Sequence, residues 1–357
     1  MRRRAVVGIL VVAAVLGIAT VRSQRAEKSA SAEPSSSGQT IREKIQERMK
    51  EKSSGTAEQP SPSIESSPKE SIAPGDHTYT FTTTDGERSY MVHVPKGYDS
   101  SKQVPVLFQF HGGSGSAASA ATSSGFSQLA DERGFIVVYG EGTVGTIKLR
   151  SWNAGSCCGA SQAKNKNVDD VSYVREVLTQ VKNTFRVDET RIYMAGMSNG
   201  SMLVNRLACE ASDIFAGAAT VSGTIQIDTC QPTRHIPVLI IHGTADTNVP
   251  YMGGQGESIF NRSTFLPVEE EFKDWGERNA CSGPVTTVAL KPLVNDGTSV
   301  DRLTYTACPN KQDVVLYRIN GGIHGWPGGS AGSNKLELKK PSQAINGSET
   351  ILNFFGL

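Results

Sequence analysis

Val238-Leu239-Ile240-Ile241, led in by Pro237, is an apolar run with no polar break. A strand turns successive side chains to opposite faces, so a strand apolar on both needs a sheet covered on both. Val104-Pro105-Val106-Leu107-Phe108-Gln109-Phe110 reads as an early strand of the same sheet. Further strands are expected at Phe135 to Tyr139, Gly217 to Ser222 and Asp313 to Ile319. Helices are expected between them: Val171, Val174, Leu178, Val181 and Phe185 share one helix face, and Glu269 to Asn279 forms another helix. This alternation predicts an α/β fold with a mainly parallel central sheet and helices on both faces. Ahead of it, His77 to Thr84 and Glu87 to Val94 read as an N-terminal antiparallel hairpin with Asp85-Gly86 at the turn. No internal repeat is evident.

The expected catalytic part is residues 76–357. Residues 1–23 open with Met1-Arg2-Arg3-Arg4 and an apolar stretch from Ala5 to Val21, the pattern of an export signal, with an N-terminal membrane tether as the alternative. Residues 24–75 are rich in Ser, Glu, Lys and Pro and predict a disordered linker. Within it Ile41, Ile45 and Met49 recur every four residues, which suits a short charged helix. Over 357 residues the net charge is only +1, so nucleic acid is not an evident partner.

Gly196-Met197-Ser198-Asn199-Gly200 follows Arg191-Ile192-Tyr193-Met194-Ala195 and precedes Ser201-Met202-Leu203-Val204, which reads as strand, sharp turn and helix. Glycines on both sides let strand and helix pass close to a serine held in a strained turn, so Ser198 is a candidate nucleophile. On the pentapeptide alone, a Gly/Ser loop that matches by chance competes equally. A serine hydroxyl needs a histidine to take its proton and a carboxylate to orient that histidine. In a strand–nucleophile–helix fold the chain order is Ser, acid, His. Asp246, in His242-Gly243-Thr244-Ala245-Asp246 after the apolar run, lies where open α/β sheets carry functional residues. The competing reading is a turn-forming Asp. His324, in the glycine-rich loop after the last strand, is the candidate base; His242 is expected to pack or hydrogen-bond beneath the acid loop. The oxyanion donors are expected to be the amide of Asn199 and that of Gly113 or Ser114, in His111-Gly112-Gly113-Ser114-Gly115. That loop lacks the Lys-Ser/Thr and the G-x-G-x-x-G spacing of nucleotide sites.

Six cysteines in an exported chain are expected to form disulfides rather than a metal site. Cys209 and Cys230 flank the Gly217 strand, and Cys281 and Cys308 flank a two-strand excursion. Cys157-Cys158 either bond each other or bond elsewhere, and the sequence leaves the connectivity open.

Several stretches, taken in order, resemble the polyhydroxybutyrate depolymerase and feruloyl esterase type family of the α/β-hydrolase superfamily. They are Phe110-His111-Gly112-Gly113, Ser151-Trp152-Asn153-Ala154-Gly155-Ser156-Cys157-Cys158-Gly159, Val168-Asp169-Asp170-Val171, the Ser198 pentapeptide, His242 to Asp246, and Gly322-Ile323-His324-Gly325-Trp326-Pro327-Gly328. The resemblance implies an α/β-hydrolase fold, extracellular ester hydrolysis without a cofactor or metal, and a triad of Ser198, Asp246 and His324. It makes the expected function that of an exported serine carboxylesterase acting on feruloyl or acetyl esters of plant polysaccharide, with polyhydroxybutyrate as the alternative substrate. A serine peptidase and a non-catalytic tethered binding protein are the readings from other classes. Trp152, Trp326 and His111 are candidates to line the substrate site, with core packing the competing reading for both tryptophans. Trp275 is expected in the core or on a helix surface.

Overall fold

The computed structural model describes residues 72–145, 148–158, 162–257, 263–311, 313–329 and 340–357. All of them fall within the unit Ser66–Leu357. The expected export segment and the charged helix of the linker lie outside the described residues. Among the described residues no helix is long and apolar enough to cross a membrane.

Fourteen strands are described: β1 (Gly75–Thr83), β2 (Gly86–Val94), β3 (Val104–Phe110), β4 (Ile136–Gly140), β5 (Thr143–Val144), β6 (Arg150–Ser151), β7 (Val187–Met197), β8 (Gly217–Val221), β9 (Val238–Gly243), β10 (Gly254–Gln255), β11 (Thr264–Phe265), β12 (Val285–Leu290), β13 (Ser299–Tyr305) and β14 (Val314–Asn320). Ten of them form one sheet in the order β1-β2-β4-β3-β7-β8-β9-β14-β13-β12, while β5 pairs with β6 and β10 with β11. The six strands from β4 to β14 run parallel. The flanks are antiparallel, with the expected hairpin at one edge and a β14-β13-β12 meander at the other. The hairpin turns one residue earlier than expected: Thr83 pairs with Gly86, which is already in β2.

The central strands are buried on both faces because their side chains feed two separate cores. Val106, Phe108, Val238 and Ile240 join one core with Tyr173, Leu203 and Trp275, from the helices Asp170–Thr184, Asn199–Glu210 and Val268–Arg278. Leu107, Leu239 and Ile241 join the other with Ala120, Phe126 and Leu352, from Ala117–Ser124, Phe126–Arg133 and Gly347–Phe355. Neighbours in sequence thus belong to opposite layers, as the strand period requires. The parallel arrangement also brings the carboxyl ends of β3, β7, β8, β9 and β14 to the same end of the sheet, where the candidate residues lie.

Candidate active site

β7 runs directly into the helix Asn199–Glu210, and the junction is Ser198 at φ 53°, ψ −121°. A non-glycine residue at positive φ is strained, and such strain persists only where the surroundings over-determine it. Here the Ser198 amide donates to Val221 O at 2.8 Å, and the Ser198 carbonyl accepts from Met202 N at 3.0 Å. The Ser198 side chain makes no capping bond to the helix it starts. Gly200 explains the second glycine of the pentapeptide: a Cβ there would overlap the carbonyl oxygens of Phe110 and His111 at the end of β3.

That contact sets the loop after β3 against the serine. A Cβ on Gly112 would lie 3.3 Å from Ser198 Cβ, and one on Gly113 would lie 3.9 Å from Asn199 Cβ. The Ser114 amide donates to Arg150 O at 2.8 Å. Ser114, expected as an alternative oxyanion donor, is therefore corrected: its N–H is already committed. Gly113 and Asn199 remain as the candidate pair, one amide from the loop and one from the first turn of the helix, where N–H groups lack intrahelical acceptors.

His111 is a buried scaffold of this loop rather than a substrate contact. Its Nδ1 donates to Gly112 O at 2.7 Å, and its Nε2 accepts from Gly142 N at 2.9 Å. A ring with one donating and one accepting nitrogen is neutral, and burial pushes the His111 pKa down to about 4 despite the Gly112 carbonyl. The expectation that Trp152 and Trp326 line the site is corrected as well, because both pack inward. Trp152 is wholly buried and donates from Nε1 to His111 O at 2.9 Å. Trp326 is 2% exposed and donates from Nε1 to Ser348 Oγ at 2.9 Å. Trp275 is also fully buried.

Asp246 and His324 meet. His324 Nδ1 lies 2.8 Å from Asp246 Oδ2, with the carboxylate fully buried and the imidazole half-buried. Asp246 Oδ1 accepts from the amides of Asn248 and Val249, each at 2.9 Å. Burial alone would raise the Asp246 pKa, but the facing His324, then His242, outweigh it and hold the group below the usual carboxylate range. The loops bearing the two residues are stitched together: Thr244 N donates to Ile319 O and Ala245 N to Gly322 O, each at 2.9 Å. Gly243 permits this approach, since a Cβ there would overlap the Gly322 carbonyl. A neutral imidazole with Nδ1–H on a carboxylate keeps Nε2 as the nitrogen able to take a proton.

Several contributors carried no assigned role in the sequence. The Asn199 side chain clasps the Trp152 backbone in both directions, with Oδ1 accepting from Trp152 N at 2.7 Å and Nδ2 donating to Trp152 O at 3.2 Å. Its Nδ2 also faces Cys158 Sγ at 3.8 Å. Asp170, fully buried, accepts from Arg88 Nη2 at 2.8 Å and from Asn153 N at 2.7 Å, and so holds the next residue of that loop. The paired acids Asp169-Asp170 at a helix start were the only signal, and Asp169 turns out to be the cap, accepting from Ser172 N at 2.9 Å. All six cysteines are paired, which settles the connectivity that the sequence left open: Cys209 with Cys230, Cys281 with Cys308, and Cys157 with Cys158. Among the described residues no group of three or more His, Cys, Asp or Glu could hold a metal ion.

Comparison with known proteins adds sequence and fold. Residues 88–247 match the family described as esterase PHB depolymerase. A feruloyl esterase B from Piromyces equi is 30% identical over 252 residues, 69% of this chain, which spans 44% of that protein's length. A putative esterase, NocK, from Nocardia uniformis subsp. tsuyamanensis is 28% identical over 281 residues, covering 75% of this chain and 78% of the relative. Among solved structures, an acetyl xylan esterase from Aspergillus awamori superposes with a TM-score of 0.54 at 16% identity, covering 78% of this chain and 99% of that one, which supports the α/β-hydrolase fold.

Proposed function

From the match of residues 88–247 to the family described as esterase PHB depolymerase, we propose that this chain is an exported serine carboxylesterase acting on feruloyl or acetyl esters of plant polysaccharide. The observation that carries the reading is the 2.8 Å bond between His324 Nδ1 and Asp246 Oδ2, in the loops that follow β14 and β9, at the same end of the parallel strands as a strained, uncapped Ser198 after β7.

In the proposed reaction Ser198 Oγ attacks the ester carbonyl while its proton passes to His324 Nε2. The oxyanion accepts from the amides of Asn199 and Gly113. The proton moves on to the leaving alkoxide, which departs as the alcohol and leaves an acyl-serine. Water, deprotonated by the same histidine, then attacks the acyl carbon and releases the acid and Ser198. Asp246 keeps the imidazole in the required tautomer and stabilises its charged form. The feruloyl esterase relative favours hydroxycinnamoyl substrates, and the family's description favours polyhydroxybutyrate as the second reading. Three disulfides fit export to an oxidising compartment.

The test is a panel with the full chain: methyl ferulate, acetylated xylan, short p-nitrophenyl esters, polyhydroxybutyrate film and a peptide amide, alongside labelling by a fluorophosphonate. Ser198→Ala is expected to lose labelling and to slow ester turnover by about a million-fold while keeping the fold. Near-wild-type turnover in that variant overturns the nucleophile. Cleavage of the peptide alone makes the chain a peptidase, and failure to label or turn over any substrate makes it a binding protein.

A further inference from the structure

Asp246 faces two histidines, and the second has no part in the proton path above. We infer that His242, at the end of β9, is a positioning residue that holds the Asp246 carboxylate on His324, an inference that rests on the proposed triad. The His242 side chain is fully buried. Its Nε2 lies 2.9 Å from Val249 O and 3.4 Å from Asp246 Oδ2. A carbonyl oxygen only accepts, so Nε2 carries the hydrogen, and one N–H spans the turn from Val249 to the carboxylate. Among the described residues His242 Nδ1 meets no hydrogen-bond partner. A lone pair there is tolerable where a buried, unpaired N–H is costly, which fits a ring that donates from Nε2 alone.

The consequence concerns the aim of the carboxylate. Oδ1 is fixed by Asn248 N and Val249 N, and those amides stay in place only while residues 246–249 keep their turn. His242 Nε2 closes that turn by bonding Val249 O. It also sets a second donor beside Oδ2, the oxygen that meets His324. The ring is kept in place by Tyr251, edge-on with centroids 6.0 Å apart. On the neighbouring strand its register partner is Arg318, whose guanidinium is engaged by Glu269 and Asp301. Asp246 is thus the charged group that His242 serves.

The test compares His242→Leu, His242→Asn and His242→Gln in the full chain. Leu removes the donor, Asn is too short to reach Val249 O, and Gln returns an N–H near the position of Nε2. For Leu and Asn, kcat is expected to fall about tenfold to a hundredfold with KM little changed, as for a misaimed catalytic group. The acid limb of the pH–rate profile should move to lower pH, because a carboxylate no longer aimed at His324 favours its protonated form less. Gln is expected to recover most of the rate. Independently of turnover, the low-field proton resonance of His324 Nδ1–H should weaken or move upfield in Leu and Asn and return in Gln. Folded Leu or Asn variants with an unchanged resonance and unchanged profile overturn the inference. If Leu does not fold, Asn carries the same test. A chain that hydrolyses no ester but shows the resonance change would sink the proposed activity and leave the His242 assignment standing.

Discussion

Glu271 is a buried carboxyl that the chemistry does not use, and it sets a pH dependence of its own. It is wholly buried, with Oε1 accepting from Asn205 Nδ2 at 3.0 Å and Oε2 from Ile225 N at 2.8 Å. Burial pushes its pKa up to about 7 although both donors pull the other way. A carboxyl raised in the fold binds its proton more tightly there than in the unfolded chain. Its stabilising contribution is therefore complete below the ordinary value of 4.5 and is lost as pH rises through about 7. Asp246, held low, has the opposite sign and loses its contribution as pH falls below the carboxylate range. Melting curves recorded from about pH 5 to 8 should show a flatter dependence for Glu271→Gln than for the parent. Gln also sets a donor against a donor, so the variant should be destabilised by about 1–3 kcal/mol. An identical slope in both proteins would refute the assignment. At this scale the meeting of Asp246 with His324 was legible because each follows an unmistakable strand. Trp152, Trp326 and His111 were not, since an aromatic ring in a motif loop can point inward or outward without any change in its neighbours in sequence.

Elements were legible in proportion to how much of them is buried. β3 matches its expected span, Val104–Phe110, because side chains on both of its faces are apolar or enclosed. The helices Ala117–Ser124 and Phe126–Arg133 went unread. The first is built from Ala, Ser and Thr, which show little contrast between faces, and Gly125 at φ 66° divides the two. The two-strand excursion between Cys281 and Cys308 was expected, but β12 is exposed along nearly its whole length, so packing leaves no imprint that would fix its bounds. The Arg88–Asp170 pair joins elements too distant in sequence to be matched by inspection: β2, the helix Asp170–Thr184 and the Trp152-Asn153 loop. Arg88 also stacks over the Tyr173 ring at 4.0 Å. Burial pushes the Asp170 pKa up, so Asp170 depends on Arg88 to remain charged. Arg88→Ala should cost about 3–5 kcal/mol by leaving a buried carboxylate uncompensated. Adding Asp170→Asn should recover part of that loss in urea unfolding. Strict additivity of the two changes would show that the pair is not coupled.

Across the whole molecule, two disulfides close loops of similar length, with separations of 21 and 27 residues. Cys281–Cys308 encloses β12 and β13, away from the candidate site. Replacing both of its cysteines with serine should lower stability by about 3 kcal/mol, the cost of freeing a loop of that size in the unfolded chain. Ester turnover at 25 °C should persist, and calorimetry beside a rate assay measures both. A melting temperature unmoved by the change would mean that the bridge constrains nothing the fold does not already hold.

The sheet has one join with a particular property. β12, β13 and β14 are consecutive antiparallel neighbours, and this C-terminal meander reaches the parallel strands through the pairing of β14 with β9. Asp246 lies just beyond β9 and His324 just beyond β14, so their bond crosses that join. The turn that holds Ser198, by contrast, is complete once β3, β7 and β8 have assembled. A ribosome would therefore finish Ser198 and its glycine collar well before the histidine could arrive. With the proposed triad, hydrolysis would begin only once β14 is in register with β9, so the onset of activity would report the docking of the C-terminal meander.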